Sequence, residues 1–306
     1  MPADLVFSLH FVRSRVIRAW LMAVLLVASA TGAARADSPI AIVAAEAVWG
    51  DIARQVGGED AAVTSILTNP ATDPHAFEAS PMDGRRLGSA RIVIANGGGY
   101  DGWIDRLVTE GGDADRPAVL NVAALVGWRD GDNVHFWYDL SMVRAVATAI
   151  AQDCAAIRPD RRAALQARLQ RFLDGLVPLQ RRIDLLRSRY QGVPVAASEP
   201  IFGLMTGQIG LAMHDAAFQR AVMNGTDPGP FEVAGFERDL TARRVRLLIL
   251  NEQTAGPATE RLVQLAREAG IPVLRVGESL PPGLSYQDWI AGILDRLDRA
   301  LSGGPA

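Results

Sequence analysis

The sequence predicts an α/β fold in which two lobes, each with a mostly parallel β-sheet, are joined by a single long backbone helix. Apolar runs rich in β-branched residues alternate with segments of helical periodicity, a pattern typical of parallel sheets covered by helices. A central amphipathic segment then divides the chain of 306 residues into two halves of similar length. An N-terminal segment of different composition precedes both halves.

The first 36 residues have the layout of a secretory signal peptide. Three arginines precede the apolar stretch Ala19–Ala30, and the small-x-small pattern Ala34-Arg35-Ala36 follows it. The apolar run is shorter than the roughly 20 residues of a membrane-spanning helix. We therefore expect export to the periplasm with cleavage after Ala36. No cysteine lies near this site, so we expect the mature chain not to be a lipoprotein. The long stretch before the apolar run leaves the true start codon open.

Seven apolar runs are predicted strands of the two sheets. They are Ile40–Ala44, Val63–Leu67, Ile92–Ala95, Val119–Val122, Val193–Ala197, Val245–Leu250 and Val273–Val276. Helical spacing over Val143–Ile150 and Thr259–Ala269 predicts helices between strands.

The predicted long helix is recognised by one apolar stripe with alternating steps of four and three residues. Because Pro178 lacks a backbone N–H, we expect a kink near 174–178. We predict a signal peptide over 1–36, an N-terminal lobe over 37–158, the helix over 159–191 and a C-terminal lobe over 192–306. A projecting coiled-coil arm is the alternative for the helix. The stripe consists of Leu165, Leu169, Phe172, Leu176, Leu179, Ile183, Leu186 and Tyr190.

The composition excludes several kinds of chemistry. All 31 basic residues are arginine, so a Schiff-base lysine or a P-loop lysine is impossible. The single cysteine, Cys154, cannot form an internal disulfide or a thiolate metal cluster. Any transition-metal site must therefore use imidazole and carboxylate groups.

A glycine-rich segment matches the dinucleotide-binding pattern G-x-G-x-x-G. Gly97–Gly102 follows the predicted strand Ile92–Ala95 and precedes a helical stretch. Two predicted strands come before it, whereas the nucleotide fingerprint follows the first strand of its unit. We interpret it as a strand-to-helix turn, with a nucleotide site as the alternative.

Four metal-capable side chains follow predicted strands, two in each half. His75 and His135 lie in loops beyond strands of the first half, and Glu199 and Glu278 lie at strand ends of the second. Ligands of open α/β sheets bind at the carboxyl ends of strands. Two imidazoles and two carboxylates suit a divalent ion such as zinc or manganese. Glu252, which also ends a predicted strand, or water is the alternative to Glu278, whereas His214 is interpreted as structural or surface.

With these residues in place, the chain resembles the zinc/manganese solute-binding proteins of ABC transporters. The matching segments run in the family's order along nearly the whole mature chain, and the DPH and N-x-H-x-W motifs are the most specific. They are Val48–Gly58, Asp73–Pro81, Ile92–Leu107, Asn133–Val143, the central helix, Ile249–Gln253 and Pro272–Pro281.

The resemblance implies that His75, His135, Glu199 and Glu278 bind the transported metal ion. The family usually has Asp where Glu278 stands. It also implies a membrane permease as the partner that receives the ion. The connection of the lobes by a single long helix predicts that they move little. We expect a monomer with no enzymatic activity and no nucleic-acid partner.

The metal and the rival functions stay open. The segment 111–116 lacks the histidine-rich loop of many zinc-specific members, and the ligand set is more similar to that of manganese members. The rivals are an exported metallohydrolase with Glu252 as general base, a haem- or siderophore-binding protein of the same architecture, and a metallochaperone that needs no permease.

Overall fold

The first sheet lies in the N-terminal half of the chain. The computed structural model describes residues 38–109, 116–223, 225–254 and 256–303, so the predicted signal peptide and most of segment 111–116 lie outside the described residues. The strands pair in the order β2-β1-β3-β4, and all three pairings are parallel. They are β1 (Ile40–Glu46), β2 (Ala61–Leu67), β3 (Ile92–Ala95) and β4 (Ala118–Asn121).

Strand β1 is apolar from Ile40 to Ala45, because both of its faces are buried, and it ends at the buried Glu46. Ile42 and Ala44 point into the large core, while Val43 and Ala45 pack in a smaller cluster on the other face. Helices cover both faces, as expected for a parallel sheet. They are α1 (Ala47–Gly57), α2 (Pro81–Gly88), α3 (Trp103–Thr109), α4 (Val122–Val126) and α5 (Leu140–Ile157).

The second sheet repeats this arrangement in the C-terminal half. Its strands are ordered β6-β5-β7-β8, again all parallel. The sequence did not predict β6, which has only two residues. The strands are β5 (Pro194–Ala197), β6 (Ala212–Met213), β7 (Leu248–Asn251) and β8 (Val273–Val276); the helices are α8 (Gly203–Ile209), α9 (Ala216–Met223), α10 (Pro230–Thr241), α11 (Pro257–Glu268) and α12 (Tyr286–Leu301).

The predicted long helix is present with a break at the expected place. It consists of α6 (Arg162–Gly175) and α7 (Val177–Tyr190), separated at Leu176. Pro178 lies in the first turn of α7, where its missing N–H removes a bond to the preceding turn. The predicted stripe is buried from Leu165 to Leu186, and Tyr190 is partly buried. The kink is thereby confirmed.

One continuous apolar core connects the two sheets. It extends from Ile40 in β1 through α5, α6 and α7 to Leu301 in α12. Helix α5 is long and apolar enough to cross a membrane, but Val143, Val146 and Ile150 on it are fully buried in this core. A shared core is expected to limit motion of one sheet relative to the other. The proposed boundaries at 159 and 191 stay predictions.

The central helix offers a matched pair of leucines to test this packing. Leu186 is fully buried, whereas the adjacent Leu185 is 40% exposed. We expect Leu186→Ala to lower the free energy of unfolding by about 2–4 kcal/mol, because it leaves a cavity in the core. Leu185→Ala should change it by no more than about 0.5 kcal/mol. Urea unfolding of the metal-free protein measures both, and equal effects would contradict the assigned packing.

Candidate metal centre

The loops after the strands of the two sheets meet at one place. His75 lies in a 3-10 turn, Pro74–Ala76, beyond β2, where its backbone N–H donates to the Asp73 carboxylate at 2.9 Å. His135 immediately precedes the 3-10 turn Phe136–Tyr138. Glu278 follows β8 of the second sheet. Three of the predicted site residues thus approach one another from both halves of the chain.

These three side chains form a group with the dimensions of a metal site. One ligand atom from each of His75, His135 and Glu278 lies within 4.8 Å of the others. The Nε2 atoms of His75 and His135 lie 3.5 Å and 3.6 Å from Oε2 of Glu278. His135 and Glu278 are buried, while the His75 side chain is 43% exposed. The site therefore has one side open to solvent.

The neighbouring Asn133 fixes the orientation of the His135 imidazole. Its Nδ1 lies 2.8 Å from Oδ1 of Asn133, an acceptor, so Nδ1 carries the proton and Nε2 is left with its lone pair. This buried Nε2 has no hydrogen-bond partner among the described residues. A buried polar atom without a partner is costly, and a cation between Nε2 and Glu278 would satisfy it.

Each carboxylate oxygen of Glu278 accepts a hydrogen bond. The Tyr100 hydroxyl donates to Oε2 at 2.7 Å, and Nδ2 of Asn251 donates to Oε1 at 2.5 Å. Burial would raise the pKa of Glu278, but the nearby imidazole of His135 opposes it. With smaller contributions from His75 and Tyr100, the pKa of this carboxyl falls to about 2. Glu278 is therefore a carboxylate at neutral pH.

Glu199 lies beside this group but outside it. The Glu199 side chain is buried, and its Oε1 accepts a hydrogen bond from Nδ2 of Asn251, the same amide that donates to Glu278. Burial and then the charge of Glu278 raise the pKa of Glu199 to about 8. Asn251 thus connects the two predicted acidic ligands.

The other two candidates from the sequence lie elsewhere. Glu252 is exposed and is not part of the three-residue group. His214 is partly buried, and its Nδ1 lies 2.6 Å from Oδ2 of Asp239 in the second half of the chain. Neither residue contributes to the group around Glu278.

The glycine-rich segment after β3 forms a tight turn that presents Tyr100 to the site. Gly97, Gly98 and Gly99 all have positive φ, which glycine adopts without a side-chain clash. The Asp101 carboxylate accepts the backbone N–H groups of Asn96 and Gly97, each at 2.7 Å. These N–H groups are therefore occupied and cannot hold a phosphate. This geometry agrees with the strand-to-helix interpretation.

Tyr100 and Asn251 are site residues that the sequence reasoning missed. Burial and the charge of Glu278 raise the pKa of Tyr100 well above its usual value, so its hydroxyl stays protonated and donates. Asn251 is the last residue of β7, so the rule that ligands gather at strand ends applied to it as well. The rule was applied to the neighbouring Glu252 instead, because a carboxylate is a more common metal ligand than an amide.

Hydrogen bonds around the group of His75, His135 and Glu278 link loops of the two halves. Asn133 Nδ2 donates to the Pro200 carbonyl at 2.5 Å, and Tyr138 donates to the Gly277 carbonyl at 2.6 Å. Gln253 Nε2 donates to the Pro70 carbonyl at 2.7 Å, while its Oε1 accepts the Glu278 N–H at 3.0 Å. Hydrogen bonds therefore join the two halves of the chain on several sides of Glu278.

The family model described as "Zinc-uptake complex component A periplasmic" matches residues 42–300. The chain belongs to this family. The manganese-binding lipoprotein MntA of Bacillus subtilis is 20% identical over 79% of this chain and 81% of its own length. MntA of Halalkalibacterium halodurans is 26% identical, but that alignment covers 49% of this chain and only 50% of the relative. The predicted resemblance to zinc/manganese solute-binding proteins is confirmed.

Solved structures share the whole fold at low sequence identity. The periplasmic zinc binding protein TroA of Treponema pallidum superposes with a TM-score of 0.72 at 13% identity, over 88% of this chain and 100% of that one. FpvC of Pseudomonas aeruginosa, solved in complex with Mn²⁺, also has a TM-score of 0.72, at 18% identity over 86% and 98%. The predicted fold of two parallel-sheet lobes with a long central helix is confirmed.

The raised pKa of Glu199 generates a test in the metal-free protein. Between its ordinary pKa of 4.5 and the folded value of about 8, Glu199 keeps a proton that the unfolded chain has released. The resulting stabilisation is present below pH 4.5 and is lost as pH rises through about 8. At pH 9, Glu199→Gln should therefore unfold with a free energy about 1–3 kcal/mol above wild type. The difference should vanish near pH 5, and parallel stability curves from urea unfolding would contradict the assignment.

Proposed function

We propose that this protein is an extracytoplasmic solute-binding protein that captures a divalent transition metal ion, zinc or manganese, and delivers it to an ABC permease. The observation that carries the proposal is the group of His75, His135 and Glu278, whose ligand atoms lie within 4.8 Å of one another. Because the two halves of the chain contribute jointly, the ion is bound between the two lobes.

The proposed ligands are His75, His135, Glu199 and Glu278. Both imidazoles bind through Nε2, since Asn133 occupies Nδ1 of His135 and the Nε2 atom of His75 faces Glu278. Glu278 contributes the charged oxygen Oε2. Glu199 completes the set when its proton is displaced by the ion. Its position beside Glu278, through their shared donor Asn251, supports this assignment.

The geometry favours capture of an ion over catalysis. A metallohydrolase needs an open coordination position with a general base beside it. The candidate base Glu252 is exposed and lies outside the ligand group. Haem or a siderophore would need a wide cleft, whereas bonds from Tyr100 to Glu278 and from Gln253 to Pro70 cross this one. A binding protein without enzymatic activity is therefore the better supported reading.

Delivery to a permease follows from the family and from the names of its members. The relatives in streptococci are described as substrate-binding lipoproteins of metal or manganese ABC transporters. For this chain we propose a periplasmic, monomeric form that is released by cleavage after Ala36. A permease as the recipient distinguishes this protein from a metallochaperone. Metal transport would then require both the binding protein and the permease.

The ligand assignment is tested by removing single histidines. We expect His75→Ala and His135→Ala each to weaken zinc and manganese binding at least about 100-fold, because an imidazole ligand is lost. His214→Ala is the matched control and should bind as wild type, since His214 pairs with Asp239 instead. Competition with a chromophoric chelator gives the affinities. Unchanged affinity in both site variants would show that the ion binds elsewhere.

Metal binding should also depend on pH. Protonated imidazole cannot bind a metal ion, so affinity should fall as pH decreases through about 6.5, the usual pKa of histidine. The rise in the thermal midpoint on adding metal should shrink over the same range, because ligand binding stabilises the folded state by mass action. Thermal unfolding with and without zinc between pH 5 and 8 measures this. A metal-induced shift that stays constant would contradict histidine ligation.

A further inference from the structure

We propose that Asn251 is a positioning residue that sets metal selectivity, because it limits each acidic ligand to one available oxygen and so favours zinc over manganese. This inference rests on the proposed function, since it concerns the same site. It adds a residue that does not itself bind the ion and a reason for discrimination between two ions.

The strand order places Asn251 between the two acids. In the second sheet β7 lies between β5 and β8, and Asn251 is its last residue. Glu199 and Glu278 each follow one of the flanking strands by two residues. The parallel direction of the three strands brings their carboxyl ends to one edge, so a single amide reaches both carboxylates.

The amide of Asn251 is buried and fixed in orientation. The residue is 1% exposed. Its Oδ1 accepts the backbone N–H of Gln253 at 3.0 Å, which leaves Nδ2 directed to the acids. Nδ2 donates to Oε1 of Glu278 at 2.5 Å and to Oε1 of Glu199. The two N–H bonds of one amide thus hold one oxygen of each carboxylate.

The oxygen of Glu278 that faces the histidines is the other one. Both imidazole Nε2 atoms approach Oε2, which also accepts the Tyr100 hydroxyl. With Oε1 held by Asn251, Glu278 offers one oxygen to an ion. The same constraint on Glu199 leaves it one oxygen.

Two imidazole nitrogens and two single carboxylate oxygens make a set of four ligands. Zinc is commonly four-coordinate and tetrahedral with such ligands. Manganese prefers more oxygen ligands in octahedral geometry, which two bidentate carboxylates would supply. Removal of the Asn251 N–H groups frees the second oxygen of each acid and should move the site toward manganese.

The test compares affinity ratios, because zinc binds most sites more tightly than manganese in any case. The variants are Asn251→Ala, which removes the amide, and Asn251→Leu, which keeps its approximate size without any donor or charge. We expect both to reduce the ratio of zinc to manganese affinity by on the order of tenfold or more. Dissociation constants come from chelator competition with each metal alone.

Two further variants separate selectivity from general damage. Tyr100→Phe removes the donor on Oε2, an oxygen that either ion would use, so it should change both affinities by the same factor. Ser198→Ala removes a buried contact to the backbone N–H of Asn251 at 3.4 Å and should leave the ratio unchanged. If Asn251→Ala does not fold, Asn251→Leu decides the test.

Cobalt(II) provides a spectroscopic readout that a merely structural role would not alter. Wild type loaded with Co²⁺ should show the intense visible bands of a tetrahedral site, and both Asn251 variants should show weaker bands of higher coordination number. A weak six-coordinate spectrum in wild type overturns the inference. If the affinity ratio is unchanged in the Asn251 variants while His135→Ala abolishes binding, this inference is overturned and the proposed function stands. A wild type that binds neither metal overturns the proposed function together with it.

Discussion

Glu278 brings a negative charge into the interior, where it faces two imidazoles from the other half of the chain. A buried carboxylate is costly unless every oxygen is satisfied and a positive charge lies nearby. Tyr100 and Asn251 satisfy its oxygens, and the histidines keep the pKa of Glu278 at about 2. A bound cation would balance the charge of Glu278 and give a partner to Nε2 of His135, which has none among the described residues. The neighbouring loops are arranged around this one charge.

The charge of Glu278 also affects Glu199, the second buried acid of the site. It lies close to a carboxylate that is already ionised, so burial and repulsion raise its pKa to about 8. The free site therefore contains one charged and one protonated acid, connected by Asn251. In the proposed ligand set, an entering ion would displace the proton from Glu199, so capture would be coupled to proton release.

The scaffold supports such a site because the two sheets share one core. The stripe on α6 and α7 packs into the core that also contains β1 and α12, so the strand ends that carry the proposed ligands belong to one packed body. Rigid elements hold ligands in a more constant geometry than mobile loops do. Hydrogen bonds from Gln253 and Tyr138 then connect the loops directly around Glu278.

Much of the fold followed from periodicity, because burial on both faces of a parallel strand leaves an apolar run that can be recognised without coordinates. The run Ile92–Ala95 and the stripe from Leu165 match the observed strand and helices closely. Strand β6 could not be found this way, since two residues carry no period. Several helices were likewise not predicted, because their apolar positions depend on which neighbours cover them.

For the site, the sequence by itself determined the available chemistry and the strand-end positions of His75, His135, Glu199 and Glu278. Only the tertiary structure decided that His75, His135 and Glu278 meet within 4.8 Å and that Glu199 is held beside them. It also decided that Tyr100 and Asn251 orient the acids. The reason is physical, because strand order and the direction of each side chain depend on packing between residues far apart in the chain. Tyr100 and Glu278, for example, are 178 residues apart, and no local sequence pattern records their contact.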